Sequence, residues 1–271
     1  MTALVVAAGQ AVAIAGDLAA NIDTAARLTR QAAAAGARLL VLPEAFLTGY
    51  DEGVFVGPLP TVEGLLDGWL DPLRLAAAAG GVSVVVGIAL QRGTSRRLSQ
   101  LVVTTDGAVT APYDKQHLDG AEKDLFSTGD HGTSICVDGV ELGLSICYDG
   151  CFPEHARAAA ADGAIGYLSS AAYFPGGEHR RDLYYAARAV ENGMYVVLSA
   201  LTGRCGASEF IGGSAVFDPE GRPLTSAVDG EGLAVAQIDV AEVTRTRARH
   251  TMLADHRASL GPRRRPGAET I

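Results

Sequence analysis

Short apolar runs alternating with amphipathic helical stretches constrain this chain more than any other feature of it. Residues 4–8 read as a buried strand. After Gly16-Asp17 a helical face of Leu18, Ile22, Ala25, Leu28 and Ala32 follows and closes at Gly36. Asp23 and Arg27, four apart, are expected to pair on its solvent side. Residues 38–43 form a second strand stopped by Pro43, then come a Gly/Pro-rich loop over 48–61, a helix over 65–79 and a strand over 82–90. Helices over 154–161 and 177–192 alternate with strands over 165–169 and 195–200. Three hairpins join 98–104 to 108–112, 134–137 to 140–146, and 214–218 to 233–240. Such mixed alternation predicts one α/β domain with its sheets buried under helices.

With 271 residues, 48% of them hydrophobic, the chain can bury a large core. A net charge of −9 argues against nucleic acid and anionic membrane as partners, since both require a basic face. No run approaches the roughly 20 apolar residues of a membrane span, and the first residues lack a signal-peptide pattern, so the cytoplasm is the expected compartment. Cys136, Cys147, Cys151 and Cys205 are too scattered for a disulfide framework and are expected to be free thiols. The basic residues are nearly all arginine, with only Lys115 and Lys123 as lysine. Residues 239–250 and the Gly261-Pro-Arg-Arg-Arg-Pro-Gly stretch look too polar to pack alone. A domain over 1–250 and a solvated tail, or an arm across a partner subunit, over 251–271 are expected.

Three polar residues stand just after apolar strands: Glu44, Lys115 and Cys147. In α/β proteins strand ends are where ligand sites collect. Cys147 sits where 142–146 give way to Tyr148-Asp149-Gly150, ahead of Pro153 and Glu154 in a helical first turn, and a strand-to-helix turn suits a nucleophile. A free thiol of pKa near 8.5 is only about 3% thiolate at pH 7, so it needs a base or a cation. Glu44 and Lys115 supply one of each, and a donor facing an oxyanion contributes about 3 kcal/mol. Each residue also has a structural reading: a packed thiol, a helix-start carboxylate, a surface lysine. Competing chemistries are weaker. Pro153 interrupts any helix that would align Cys147, Cys151 and His155 as metal ligands, no Gly-x-Ser-x-Gly elbow exists, and a Cys147–His117 pair competes with Glu44.

The blocks Leu42-Pro43-Glu44-Ala45-Phe46-Leu47-Thr48-Gly49-Tyr50, Tyr113-Asp114-Lys115-Gln116-His117-Leu118 and Ser145-Ile146-Cys147-Tyr148-Asp149-Gly150-Cys151-Phe152-Pro153-Glu154 resemble the signature blocks of the nitrilase superfamily, the carbon–nitrogen hydrolases. Phe126-Ser127-Thr128-Gly129, 187–192 and 212–221 are similar to further blocks of that family. The resemblance implies a four-layer αββα sandwich in which Glu44 is general base, Lys115 stabilises the tetrahedral intermediate, Cys147 attacks and Glu122 orients Lys115 or the substrate. It also implies a homodimer or higher homo-oligomer, a small-molecule amide substrate, and neither cofactor nor metal. Tyr148-Asp149 after the cysteine looks like the amidase and carbamoylase branches. A small linear amide or N-carbamoyl compound, cleaved through a thioester with release of ammonia, is therefore expected. A nitrilase and a catalytically silent binding protein are the alternatives. Tyr50, Tyr148, Tyr173 and Phe174 are candidate pocket walls. Relatives that read a carboxylate often carry arginine three or four residues past the cysteine, where Gly150 and Cys151 stand, so His179-Arg180-Arg181 is the remaining source of positive charge. Ala200-Leu201-Thr202-Gly203 also lacks the family's usual asparagine.

Overall fold

The computed structural model describes residues 3–227, 229–257 and 259–263. Its first sheet contains β1 (Ala3–Gln10), β2 (Leu39–Val41), β3 (Ser83–Arg92), β4 (Ser95–Val103) and β5 (Val109–Asp114), with the late strand β14 (Gly232–Asp239) on the edge beside β1. The second contains β6 (Ser134–Val137), β7 (Val140–Ile146), β8 (Gly166–Ala171), β9 (Tyr195–Ala200), β12 (Ala215–Phe217) and β13 (Pro223–Ser226), in spatial order β13-β12-β9-β8-β7-β6. Between β9 and β12 in sequence, β10 (Thr202–Cys205) and β11 (Ser208–Ile211) form a separate hairpin.

Alternation along the strands decides the layers, because successive side chains point to opposite faces. Leu4, Val6 and Ala8 of β1 and Leu39 and Val41 of β2 meet Leu142, Leu144 and Ile146 of β7 and Val197 of β9 in one buried cluster between the sheets. The intervening Ala7 and Leu40 face outward onto Ile22 and Leu28 of α1 (Leu18–Ala34) and Leu73 of a later helix, Asp71–Gly80. On the far side, Tyr167, Val196 and Leu198 pack against Ala160 of Pro153–Ala161 and Tyr185 and Ala189 of Glu178–Asn192. The result is the expected order helix, sheet, sheet, helix. Polar bonds also cross between the sheets: Gln100 Nε2 donates to Ser145 O and Ser170 Oγ, both at 2.9 Å, and Ser170 Oγ donates to Leu42 O at 2.7 Å.

Several local expectations are corrected. Arg27 pairs with Glu231 at 2.7 Å and not with Asp23, because the start of β14 comes up beside α1. The loop over 48–61 contains a short helix, α2 (Glu52–Val56), capped by Asp51. The helix read over 65–79 is a 3-10 turn, Glu63–Leu66, followed by α3 (Asp71–Gly80); Gly68 at φ +90° and Pro72 in the first turn of α3 break the pattern between them. In the last hairpin, β12 turns back into β13, and β14 crosses to pair antiparallel with β1. Periodicity identified the strand but not its neighbour. Residues 239–250, expected to be too polar to pack alone, do pack. Asp239 caps α7 (Val240–Arg249), Val243 and Thr246 are buried, and the Arg247 guanidinium donates to Ala164 O at 2.8 Å and Asn192 O at 3.1 Å. Of the Arg-rich stretch at 261–267, residues 264–267 lie outside the described residues.

One close approach fixes the end of β2. A Cβ on Gly87 of β3 would lie 2.4 Å from Pro43 O and 2.6 Å from Glu44 Cα. Gly87→Ala is expected to destabilise the protein by about 1–3 kcal/mol through overpacking. Thermal unfolding checks this, and an unchanged midpoint would mean the Pro43–Glu44 turn has room to move.

Candidate active site

Two strand ends and the start of a short helix deliver the central charges to one buried point. Glu44 follows β2, Lys115 follows β5, and Glu122 opens the short helix α4 (Glu122–Leu125). All three are at least nine-tenths buried. Lys115 Nζ donates to Glu44 Oε1 at 2.7 Å and to both oxygens of Glu122 at 2.8 Å. Glu122 is held in turn by the Tyr50 hydroxyl at 2.6 Å and the Asp119 N–H at 2.8 Å. Lys115 is anchored through its backbone, which donates to Leu98 O and accepts from Gly129 N–H, both at 2.8 Å.

Two carboxylates around one ammonium give the cluster a net negative charge when all are ionised, and its neighbours respond. Burial pushes the Glu44 carboxyl up; Lys115 opposes this and Glu122 adds to it, leaving Glu44 at about 7. Burial alone would lower Lys115, but Glu44 and Glu122 overturn it and hold the ammonium firmly charged. Glu44 Oε2 is buried without a hydrogen-bond partner. It is the free acceptor of the cluster.

Cys147 lies where β7 runs into a 3-10 turn, Cys147–Cys151, and it takes the left-handed conformation at φ 44°. Ala45, next to Glu44, does the same at φ 47°. Such backbone is costly for residues other than glycine and concentrates at functional sites. The Cys147 thiol donates to Ala172 O at 3.5 Å. Burial, then the Glu44 charge, pushes this thiol well above its ordinary value, with Lys115 opposing, so the resting group is protonated.

Behind the turn, Asp149 is fully buried and accepts four hydrogen bonds: from His117 N–H and Nδ1 at 2.9 Å, the Tyr113 hydroxyl at 2.6 Å and Ile146 N–H at 3.0 Å. Burial opposes its ionised form, but the His117 bond, the His155 charge and the Tyr113 bond carry its pKa below the usual range. His155 completes a relay, with Nε2 2.8 Å from the Tyr113 hydroxyl and Nδ1 2.8 Å from that of Tyr167. Because Tyr113 donates to Asp149, it accepts from His155 Nε2–H, while Nδ1 is bonded to the Tyr167 hydroxyl. His155 thus has both nitrogens occupied away from the thiols. His117 is stacked on Phe152 at 3.9 Å and committed to Asp149, not to Cys147.

A cavity of about 270 Å³ opens onto Lys115, Glu122 and Cys147. Tyr50, Tyr148, Tyr173 and Phe174 all line it, so the structure gathers the sequence-derived candidates in one place, with Glu44 bonded to Lys115 just behind. Of the basic run, Arg180 reaches the cavity from α6 (Glu178–Asn192; the intervening helix α5 is Pro153–Ala161), whereas Arg181 is tied to Gly212 O and Asp182 at 2.8 Å. Gly150 has no room for a side chain, since a Cβ there would stand 2.8 Å from the Tyr185 ring. Sequence reasoning missed Asp119 and Tyr184 on the cavity wall, used Asp149 as a turn signal and branch marker but not as a buried hydrogen-bond hub, and missed Tyr185, whose hydroxyl donates to Cys147 O at 3.2 Å. Among the described residues no group of three His, Cys, Asp or Glu could hold a metal ion.

Residues 5–248 match the carbon-nitrogen hydrolase family. The chain is a carbon–nitrogen hydrolase. It is 34% identical over 248 residues to an (R)-stereoselective amidase of Pseudomonas sp, covering 88% of each chain. It is 32% identical over 263 residues to the deaminated glutathione amidase of Escherichia coli O157:H7, covering 94% of this chain and 97% of that one. The solved amidase of Nesterenkonia sp. AN1 in complex with acrylamide superposes with a TM-score of 0.83 at 30% identity over 94% of both chains. Another structure of that amidase carries the acetamide moiety of fluoroacetamide on its active-site cysteine. This family acts on carbon–nitrogen bonds other than peptide bonds.

Asp149→Asn tests the support behind the nucleophile. An amide would present N–H donors to groups that already donate, and leaving such buried partners unsatisfied costs about 2–4 kcal/mol. Chemical denaturation of the variant should show that loss, and a stability within error of the parent would remove Asp149 from this supporting role.

Proposed function

We propose that this hydrolase is a thiol amidohydrolase that releases ammonia from a small linear amide or N-carbamoyl compound through a thioester on Cys147. The observation that carries the reading is the free Glu44 Oε2 in a cluster whose other acceptors are all bonded to Lys115 or its neighbours. Because Cys147 rests protonated, its proton must leave as attack occurs, and Glu44 is the buried base for it. The sulfur adds to the carbonyl carbon. Lys115 faces the oxygen as it becomes an oxyanion, a role in which a fixed donor contributes about 3 kcal/mol. Glu44 then returns the proton to the departing nitrogen, ammonia leaves, and the acyl group remains on sulfur. Water, deprotonated by Glu44, displaces the thiolate to give the acid, and the proton returns to Cys147. Glu122, fixed by Tyr50 and Asp119, holds Lys115 on line throughout.

Residues 1–250 are taken as the catalytic domain and 251–271 as an arm, in keeping with α7 ending at Arg249 and with the mostly exposed described residues after it. A homodimer is proposed as well. Leu183 and Val190, seven residues apart on α6, are 56% and 42% exposed and give an apolar stripe for a second copy. Four free thiols favour the cytoplasm.

A base must be ionised to accept a proton, so with Glu44 near 7, kcat/KM should fall as pH drops through about 7. Cys147→Ala and Glu44→Gln should each lower ammonia release by roughly a thousandfold or more. A screen over amides, ureido acids and nitriles measures this. Amide turnover surviving Cys147→Ala would sink the mechanism, and turnover confined to nitriles would replace it with the nitrilase reading.

A further inference from the structure

The cavity holds four charged side chains of two kinds. Lys115 and Glu122 are buried and bonded to each other. Arg180 and Asp119 are exposed, so they stand at the mouth. Neither side chain makes a hydrogen bond or ion pair within the described residues, and they are not paired with one another. The other arginines of α6 differ: Arg181 is bonded to Asp182 and Gly212 O, and Arg188 to Glu191. Arg180 also occupies the first turn of α6, where the helix dipole disfavours a cation. Helix stability therefore does not account for it. Asp119 fixes Glu122 through its backbone N–H, so its own position in the chain is tied to the charge cluster and its carboxylate lines the same cavity.

A substrate whose amide carbon reaches Cys147 must extend its acyl end toward this mouth, and the small cavity leaves little choice of path. We propose that Arg180 and Asp119 select an acyl group bearing both a carboxylate and an ammonium, the class formed by side-chain amides of α-amino acids. Arg180 takes the carboxylate, for which its planar fork offers two donors, and Asp119 takes the ammonium. The cation is placed on α6, away from the position where Tyr185 fills the space beside Gly150. This inference rests on the amidohydrolase reading above.

Four probes of matched length test it: glutamine, glutaramate lacking the ammonium, 4-aminobutanamide lacking the carboxylate, and butanamide lacking both. The expected kcat/KM for glutamine exceeds that for butanamide by about tenfold or more, as a charge-assisted pair at a solvated mouth allows. Arg180→Ala should collapse the preference for the two carboxylate probes over their partners, and Arg180→Lys should restore part of it. Asp119→Asn should collapse the preference for the two ammonium probes. Equal turnover of all four, or an equal loss on all four in Arg180→Ala, would overturn the proposal, since a merely structural residue would behave that way. If no amide is hydrolysed, the amidohydrolase reading fails separately. Calorimetric binding of the same probes to Cys147→Ala then still decides charge selection, the same order supporting it and no discrimination overturning it.

Discussion

Everything at this site depends on one buried ammonium shared between two carboxylates. Taking Lys115 out of water is costly, and one counter-ion with leftover lone pairs would not compensate it. Glu44 and Glu122 together offer four oxygens, three of which accept from Lys115 Nζ. The fourth, Glu44 Oε2, is left over. Burial, reinforced by Glu122 and opposed by Lys115, raises Glu44 toward 7, and burial together with the Glu44 charge keeps the neighbouring thiol protonated. A cluster that merely stabilised the fold would have no need of an unpaired oxygen or of an excess charge.

The sandwich exists to hold these groups in register. Glu44 and Cys147 come from different sheets, and the bonds from Gln100 to Ser145 and Ser170, and from Ser170 to Leu42, tie those sheets together directly beneath them. Gly87 lets β3 pass against the Glu44 turn, while Asp149 gathers Tyr113, the His117 loop and the Cys147 turn around one carboxylate. Left-handed backbone at Ala45 and Cys147 is paid for by this surrounding order.

What could be read from the residues divides along physical lines. Strand and helix periods are local, so α1, β7 and α6 were legible, and so was the convergence of Glu44, Lys115 and Cys147 at strand ends. Partners of long range were not. Nothing in the 232–239 pattern distinguishes the β1 edge of one sheet from the β12 edge of the other, and Arg27 meets Glu231 only once β14 has chosen. Polar composition also misled at 239–250, where the Arg247 guanidinium bonds backbone carbonyls and Arg245 and Arg249 pair with carboxylates. Asp149 looked like a turn residue because its four donors come from three separate segments.

The most direct test of the central claim is intact-mass spectrometry of the enzyme quenched during turnover of a small amide. The account predicts a transient mass increase equal to the acyl group, located on Cys147 and absent when Glu44 is replaced by glutamine. Sustained ammonia release with no adduct on Cys147 at any time point would contradict it.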